Sequence, residues 1–98
     1  MDYFEEIIKN VVRGLIELRQ NYTAELSRSI LGSLVSNFHN NGRRFYHAQT
    51  VNGKYKRKYL SPRRPDGRDM IGRLARKEYL QKSIHAIDKN IAALTAAL

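Results

Sequence analysis

The chain has 98 residues, 42% of them hydrophobic and 28% charged, which is the composition of one folded domain. It contains no cysteine, and this excludes disulfides, zinc sites with thiolate ligands and cysteine nucleophiles. Eighteen Lys and Arg against nine Asp and Glu give a net charge of +9, so polyanions should be attracted. No apolar run approaches the roughly 20 residues of a membrane span, and the N-terminal sequence does not resemble a signal peptide, so we expect a cytoplasmic protein.

The positive charge is concentrated in the middle of the chain. Residues 43–68 contain nine Lys and Arg and one acid, Asp66, for a net charge of +8. Residues 1–42 have a net charge of −1 and residues 69–98 one of +2. Four aromatic residues lie among these cations: Phe45, Tyr46, Tyr55 and Tyr59. A solvated charged surface is the ordinary explanation of such a run, but its confinement to one segment favours a nucleic-acid-binding surface.

The first predicted element is a helix over residues 2–28. Acidic residues near its start, among them Asp2 and Glu5, complement the helix dipole. Apolar residues follow the four- and three-residue steps of a coiled-coil seam, and further apolar positions widen this seam into a core-facing stripe. The seam residues are Phe4, Ile8, Val11, Leu15, Leu18 and Tyr22, and the widening residues are Ile7, Val12, Ile16 and Leu26.

A three-stranded antiparallel β-meander is predicted over residues 33–60. Asn41-Gly42 and Asn52-Gly53 are typical of type I′ hairpin turns. Because side chains alternate along a strand, the third strand should present two different faces. One face has Tyr55, Arg57 and Tyr59, and the other has Lys54, Lys56 and Lys58. We expect the tyrosines to pack on a helix, with stacking of nucleic-acid bases on the rings as the alternative, and the lysines to meet solvent or a ligand.

A basic linker over residues 61–67 is predicted to precede a last helix, 68–97, capped by Asp66 or Ser61. Its apolar seam is Leu80, Ile84, Ile87, Ile91, Leu94 and Leu98. Both helical seams span 19 residues, about 28 Å at 1.5 Å per residue, which favours their pairing with each other. The predicted fold is therefore a single α+β domain, with two long antiparallel helices in a coiled-coil-like hairpin and the meander between them in sequence. Pairing of a seam with a second copy, giving a homodimer, is the alternative.

Catalytic chemistry has weak support in this sequence. The histidines His39, His47 and His85 do not have metal-ligand spacing, and there is no glycine-rich phosphate loop. We therefore expect no metal, no cofactor and no catalytic residue. Small bacterial ribonuclease toxins, which act with basic and aromatic residues on a sheet, are the enzymatic alternative, although their strand order differs. Residues of the types they use are Arg43, Arg44, Tyr46, His47, Lys56 and Tyr59.

Four short stretches together resemble a module of uncharacterised bacterial proteins. They are Gly-Ser-Leu-Val at 32–35, Arg-Phe-Tyr-His at 44–47, Asn-Gly-Lys-Tyr at 52–55 and Leu-Ala-Arg-Lys-Glu-Tyr at 74–79. The resemblance covers residues 25–95 and implies a helix, a meander and a second helix. In longer relatives this module precedes a domain similar to restriction endonucleases. The present chain departs from the pattern by an insertion at 63–68 and by lacking an Asp followed by Glu-x-Lys. The resemblance thus implies a nuclease accessory module and assigns no catalytic residue.

The favoured hypothesis is a non-catalytic module that binds DNA or RNA through a basic sheet. The expected contacts are Arg43, Arg44, Tyr46, His47, Lys54, Lys56, Lys58, Arg63, Arg64 and Arg68. Because phosphate contacts carry no sequence information, we expect modest specificity. The first alternative is an anti-CRISPR inhibitor from a phage or mobile element, bound to a CRISPR nuclease or its nucleic acid. The second is the ribonuclease toxin.

Overall fold

The computed structural model describes residues 2–40 and 42–98, which form two helices separated in sequence by three strands. The elements are α1 (Tyr3–Ser27), β1 (Ser33–His39), β2 (Gly42–Val51), β3 (Lys54–Leu60) and α2 (Pro65–Ala96). This order confirms the predicted α+β class. The chain divides into two compact units, to both of which α2 contributes. Unit 1 comprises the residues up to Arg28 with Leu80–Leu98, and unit 2 is Ser29–Tyr79.

The three strands form one antiparallel sheet in the order β1-β2-β3, as the meander prediction requires. Val51 pairs with Lys54, and Asn52 and Gly53 between them have φ values of 52° and 76°. Positive φ at both central residues is what a type I′ turn needs, so the second Asn-Gly prediction is confirmed. In the first hairpin His39 pairs with Gly42. The turn predicted at 41–42 falls partly on Asn41, which lies outside the described residues.

Helix α1 begins within one residue of its predicted start, and it buries only part of its predicted seam. The Asp2 carboxylate accepts a hydrogen bond from the Phe4 backbone N–H at 3.1 Å, which caps the helix. Ile8 is buried, whereas the predicted seam residues Phe4, Val11 and Leu18 are 64%, 46% and 39% exposed. The predicted seam is therefore only partly correct. The reason is that α1 has one neighbouring segment in unit 1, residues 80–98. A single neighbour covers only part of a wide apolar stripe.

The seam of α2 within unit 1 agrees better with its prediction. Leu80 and Ile87 are buried, while Leu98, beyond the end of the helix, is 55% exposed. A polar contact joins the two helices of this unit. Arg19 donates from Nε to Asp88 Oδ1 at 2.5 Å and from Nη2 to Asp88 Oδ2 at 3.3 Å. Apolar packing and this two-pronged ion pair thus hold together the helical pair that the sequence predicts.

The start of α2 differs from the sequence prediction. The helix begins at Pro65, so the linker ends at residue 64 and not at residue 67. The Arg68 N–H donates to the Arg64 carbonyl at 2.9 Å, which places Arg64 at the N-cap position. Asp66 lies within the first turn, and the Ser61 hydroxyl accepts from the Arg63 N–H at 3.3 Å. Neither predicted cap is used, because proline's fixed φ favours the first helical position.

The core of unit 2 is small and is supported by polar contacts of the backbone. Ala48, Leu60 and Leu74 are buried. Lys77 on α2 donates from Nζ to the carbonyl oxygens of Ile30 and Gly32, at 2.9 and 2.7 Å. This ammonium group therefore ties α2 to the segment that leads into β1.

Candidate nucleic-acid interface

The two units differ sharply in charge. Unit 2 contains twelve Lys and Arg and three acids, a net charge of +9, which equals the net charge of the whole chain. Unit 1 contains six basic and six acidic residues and is neutral. Most of this charge belongs to residues 43–68, as the sequence indicates. Unit 2 also includes basic residues of α2 such as Arg73 and Arg76. Any long-range attraction of a polyanion therefore acts through unit 2.

Strand β3 separates its side chains onto two faces of the sheet. The first, called the lysine face, has Lys54, Lys56 and Lys58, which pair with Val51, Gln49 and His47 of β2. All three lysines are exposed. Within the described residues, no carboxylate lies within ion-pair distance of their ammonium groups. The lysine face is thus available to an external anion, in agreement with the alternation argument.

The opposite face has Thr50, the buried Ala48 and Tyr46 of β2 paired with Tyr55, Arg57 and Tyr59 of β3. Its three tyrosines and Arg57 are together called the tyrosine face. Tyr55 is 62% exposed and Tyr59 is 53% exposed, so the expectation that these rings pack on a helix is wrong. The buried residue of β3 is Leu60, which shares the lysine face. The small core reaches β3 only at its last residue, and the edge position of the strand leaves the tyrosines uncovered.

The side chains of the tyrosine face contact one another. Tyr46 and Tyr59, directly opposite across the strand pair, have ring centroids 5.8 Å apart at an interplanar angle of 69°. The Arg57 guanidinium lies 5.0 Å from the centroid of the Tyr46 ring. Edge-to-face ring contacts and cation–π contacts each stabilise by roughly 0.5–1.5 kcal/mol. The face is therefore an ordered aromatic and cationic surface.

Three arginines line a cleft of about 460 Å³, called the arginine cleft, between the β1–β2 hairpin and the linker that follows β3. They are Arg43, Arg44 and Arg63, and the remaining lining residues are His39, Asn40, Gly42, Tyr59, Ser61 and Pro62. Arg43 is held with its guanidinium 4.8 Å from the centroid of the Phe38 ring. No carboxylate lines the cleft among the residues that the structure describes. Its chemistry suits an anionic group such as a phosphate.

The ten predicted contact residues do not form one cluster. Lys54 pairs with Val51, and Arg43 lies eight residues earlier on β2, about 26 Å away at 3.3 Å per residue. Arg64 lies in a second cleft beside Lys58 and Asp66, outside the lining of the arginine cleft. Arg68 donates from Nη1 to the Arg63 carbonyl at 3.3 Å and so supports the linker. The cations follow the length of the sheet.

Like Arg68, the predicted contact residue His47 has a role in the fold, and the exposed face of β3 contains residues outside the prediction. The His47 Nε2 lies 2.8 Å from the Leu31 carbonyl, which only accepts, so this nitrogen is the donor. The predicted contacts do not include Tyr55, Arg57 or Tyr59, although the alternation of β3 places these three on a different face from the lysines. Lys77 donates hydrogen bonds within unit 2, and its place in the sequence, three residues from each of the apolar residues Leu74 and Leu80, already indicates that it faces inward.

Comparison with known proteins finds no matching family model and no curated protein or solved structure with significant similarity. No helix in the described parts of the chain is long and apolar enough to cross a membrane. Across residues 2–40 and 42–98, no three His, Asp or Glu side chains are grouped so as to hold a metal ion.

Proposed function

We propose that this protein binds nucleic acid without catalysis, and that unit 2 provides the binding surface. The observation that carries the proposal is the confinement of the whole net charge of +9 to that unit. An exposed row of lysines without acidic partners adds to it, as does a cleft lined by three arginines. The lysine row starts opposite Val51 at one end of β2, and the arginine cleft lies at the other end, so an extended polyanion would contact both. Nucleic acid is the common cellular polymer with that shape and charge.

Three substitutions on one face test the contribution of the lysine face. Lys54, Lys56 and Lys58 changed together to Gln should leave the fold intact, because exposed substitutions cost within about 0.5 kcal/mol each. Affinity for a labelled oligonucleotide should fall, and the slope of log K against log salt should decrease by up to about three units. Fluorescence anisotropy between about 50 and 200 mM salt measures both quantities.

The matched control removes three charges from unit 1, by Lys9→Gln, Arg13→Gln and Lys89→Gln. This variant has the same net charge as the lysine-face variant and should retain most of the affinity. Equal losses from both variants would show that the general field of the protein attracts the ligand and that the lysine face is no defined site. An unmodified protein that binds no oligonucleotide would overturn the proposal and direct the search to an acidic protein surface, such as that of a CRISPR nuclease.

A further inference from the structure

We infer that the tyrosine face takes unpaired bases, so that the ligand of unit 2 is single-stranded nucleic acid. This inference rests on the proposed function and makes it more specific. The surface in question consists of Tyr46, Tyr55, Arg57 and Tyr59, and it lies on the face of the sheet opposite the three lysines.

The exposure of the rings is the first argument. A tyrosine ring on a small sheet ordinarily contributes buried area to the core. Here Tyr55 and Tyr59 leave 62% and 53% of their surface to solvent, while the core of unit 2 is made by Ala48, Leu60 and Leu74. These two rings therefore contribute little to the core, and their apolar faces are available to a flat ligand.

The ordering of the face is the second argument. The edge-to-face contact between Tyr46 and Tyr59 and the stacking of Arg57 over Tyr46 restrain these side chains before any ligand arrives. A restrained ring loses less conformational entropy on binding than a free one. Arg57 also places a planar cation among the rings, and a guanidinium both stacks on bases and pairs with phosphate.

Spacing and charge identify the occupant. Tyr55 and Tyr59 are four residues apart on β3, about 13 Å at 3.3 Å per residue, so they would hold two different bases of one strand. Because β3 is an edge strand, its lysines lie along the same edge and can neutralise the backbone that links those bases. In a duplex the bases are stacked on one another and hide their faces, so a stacking platform selects unpaired strands.

The test compares single-stranded and duplex oligonucleotides of one sequence against a ring-removal variant. Tyr55→Val with Tyr59→Val removes both rings and leaves the charge unchanged, and valine retains a high strand propensity. Affinity for the single strand should fall by about thirtyfold or more, with an unchanged salt slope, because stacking on both rings is lost while phosphate contacts remain. Affinity for the duplex should not change.

The conservative variant Tyr55→Phe with Tyr59→Phe keeps both rings and should retain the affinity for the single strand. The chain has six tyrosines and no tryptophan, so quenching of tyrosine fluorescence by the single strand gives a second readout of stacking. Circular dichroism verifies that each variant is folded. If the Val variant does not fold, the quenching and the ratio of single-strand to duplex affinity in the unmodified protein decide the matter.

The outcomes separate this inference from the proposed function. Binding of neither form of nucleic acid would overturn both. Equal binding of duplex and single strand, with no effect of ring removal and no quenching, would overturn the inference and leave the proposed function standing. Selective binding of the single strand, with loss in the Val variant and retention in the Phe variant, is the expected result.

Discussion

At the scale of single residues, two glycines of α2 lie in opposite surroundings. Gly67 is buried, and a Cβ atom at this position would overlap the carbonyl oxygen of Ser61. Gly72 is exposed, and a Cβ atom there would meet nothing within 4 Å. The close approach at Gly67 lets the linker that lines the arginine cleft pack directly on the first turn of α2.

These two glycines give a prediction with a built-in control. Gly72→Ala should stabilise the protein by up to about 1 kcal/mol, which is the difference in helix propensity between the two residues. Gly67→Ala should instead destabilise it, because backbone atoms of the linker must shift to admit the methyl group. Urea denaturation followed by circular dichroism measures both changes in the free energy of unfolding. A stabilising Gly67→Ala substitution would show that the linker does not pack against this turn.

At the scale of elements, the ion pair between α1 and α2 is a polar contact whose contribution to stability depends on pH. The hydrogen bond from Arg19 lowers the pKa of the Asp88 carboxyl below its ordinary value, against an opposing effect of partial desolvation. The same hydrogen bond raises the pKa of Arg19. Since the carboxyl pKa is lower in the folded state, the pair stabilises the folded protein above the unfolded-state pKa, near 3.9. That contribution is lost as the pH falls through the lowered value.

Asp88→Asn should therefore lower the Tm at neutral pH by a small amount, because the side chains of the pair are 41% and 48% exposed and solvent screens their interaction. The difference in Tm from the unmodified protein should shrink as the pH drops below about 4. Thermal melts at neutral and acidic pH measure this difference. Glu17→Gln, which neutralises an exposed carboxylate of α1, should produce no comparable difference at neutral pH. An equal Tm for Asp88→Asn and the unmodified protein at neutral pH would contradict the prediction.

At the scale of the whole molecule, the net charge belongs to one unit and an apolar helical stripe to the other. Unit 2 has the net positive charge, and unit 1 is neutral and exposes an apolar stripe on α1. The stripe comprises Phe4, Ile7, Val11 and Leu18, which are 64%, 42%, 46% and 39% exposed. Gly14 falls at heptad spacing between the last two and would let a facing helix approach closely. Because this unit is neutral, a second copy meets no net repulsion there.

We expect this stripe to pair with a second copy of the chain, which is the homodimer that the sequence left as an alternative. Sedimentation equilibrium should then show a mass that rises toward the dimer with concentration. Val11→Lys should keep the protein monomeric by placing a charge in the stripe. Val51→Lys is the matched control, since Val51 is 42% exposed on unit 2, and it should leave the dimer intact. A monomer at every concentration would contradict the expectation.

The secondary structure of this protein was predictable because its signals are local. Helical periodicity and alternation act over a few residues, and the Asn-Gly pair at 52–53 determines its turn by its own backbone preference. The predicted start of α2 lies three residues after Pro65, because composition groups the prolines and the glycine together as linker. Proline is unfavourable inside a helix but favourable at its first position, and composition alone does not distinguish these places.

The sequence by itself determined the α+β order of elements, the antiparallel meander, the concentration of charge and the exposure of the lysine row. Only the tertiary structure decided which side of α1 is buried and that Tyr55 and Tyr59 face solvent. It also decided that Lys77 and His47 donate hydrogen bonds to backbone carbonyls. Alternation divides a strand into two faces but does not say which face the core covers. Which face is covered depends on where segments distant in sequence pack. The same packing decides whether a tyrosine is buried in the core or exposed to bind a base.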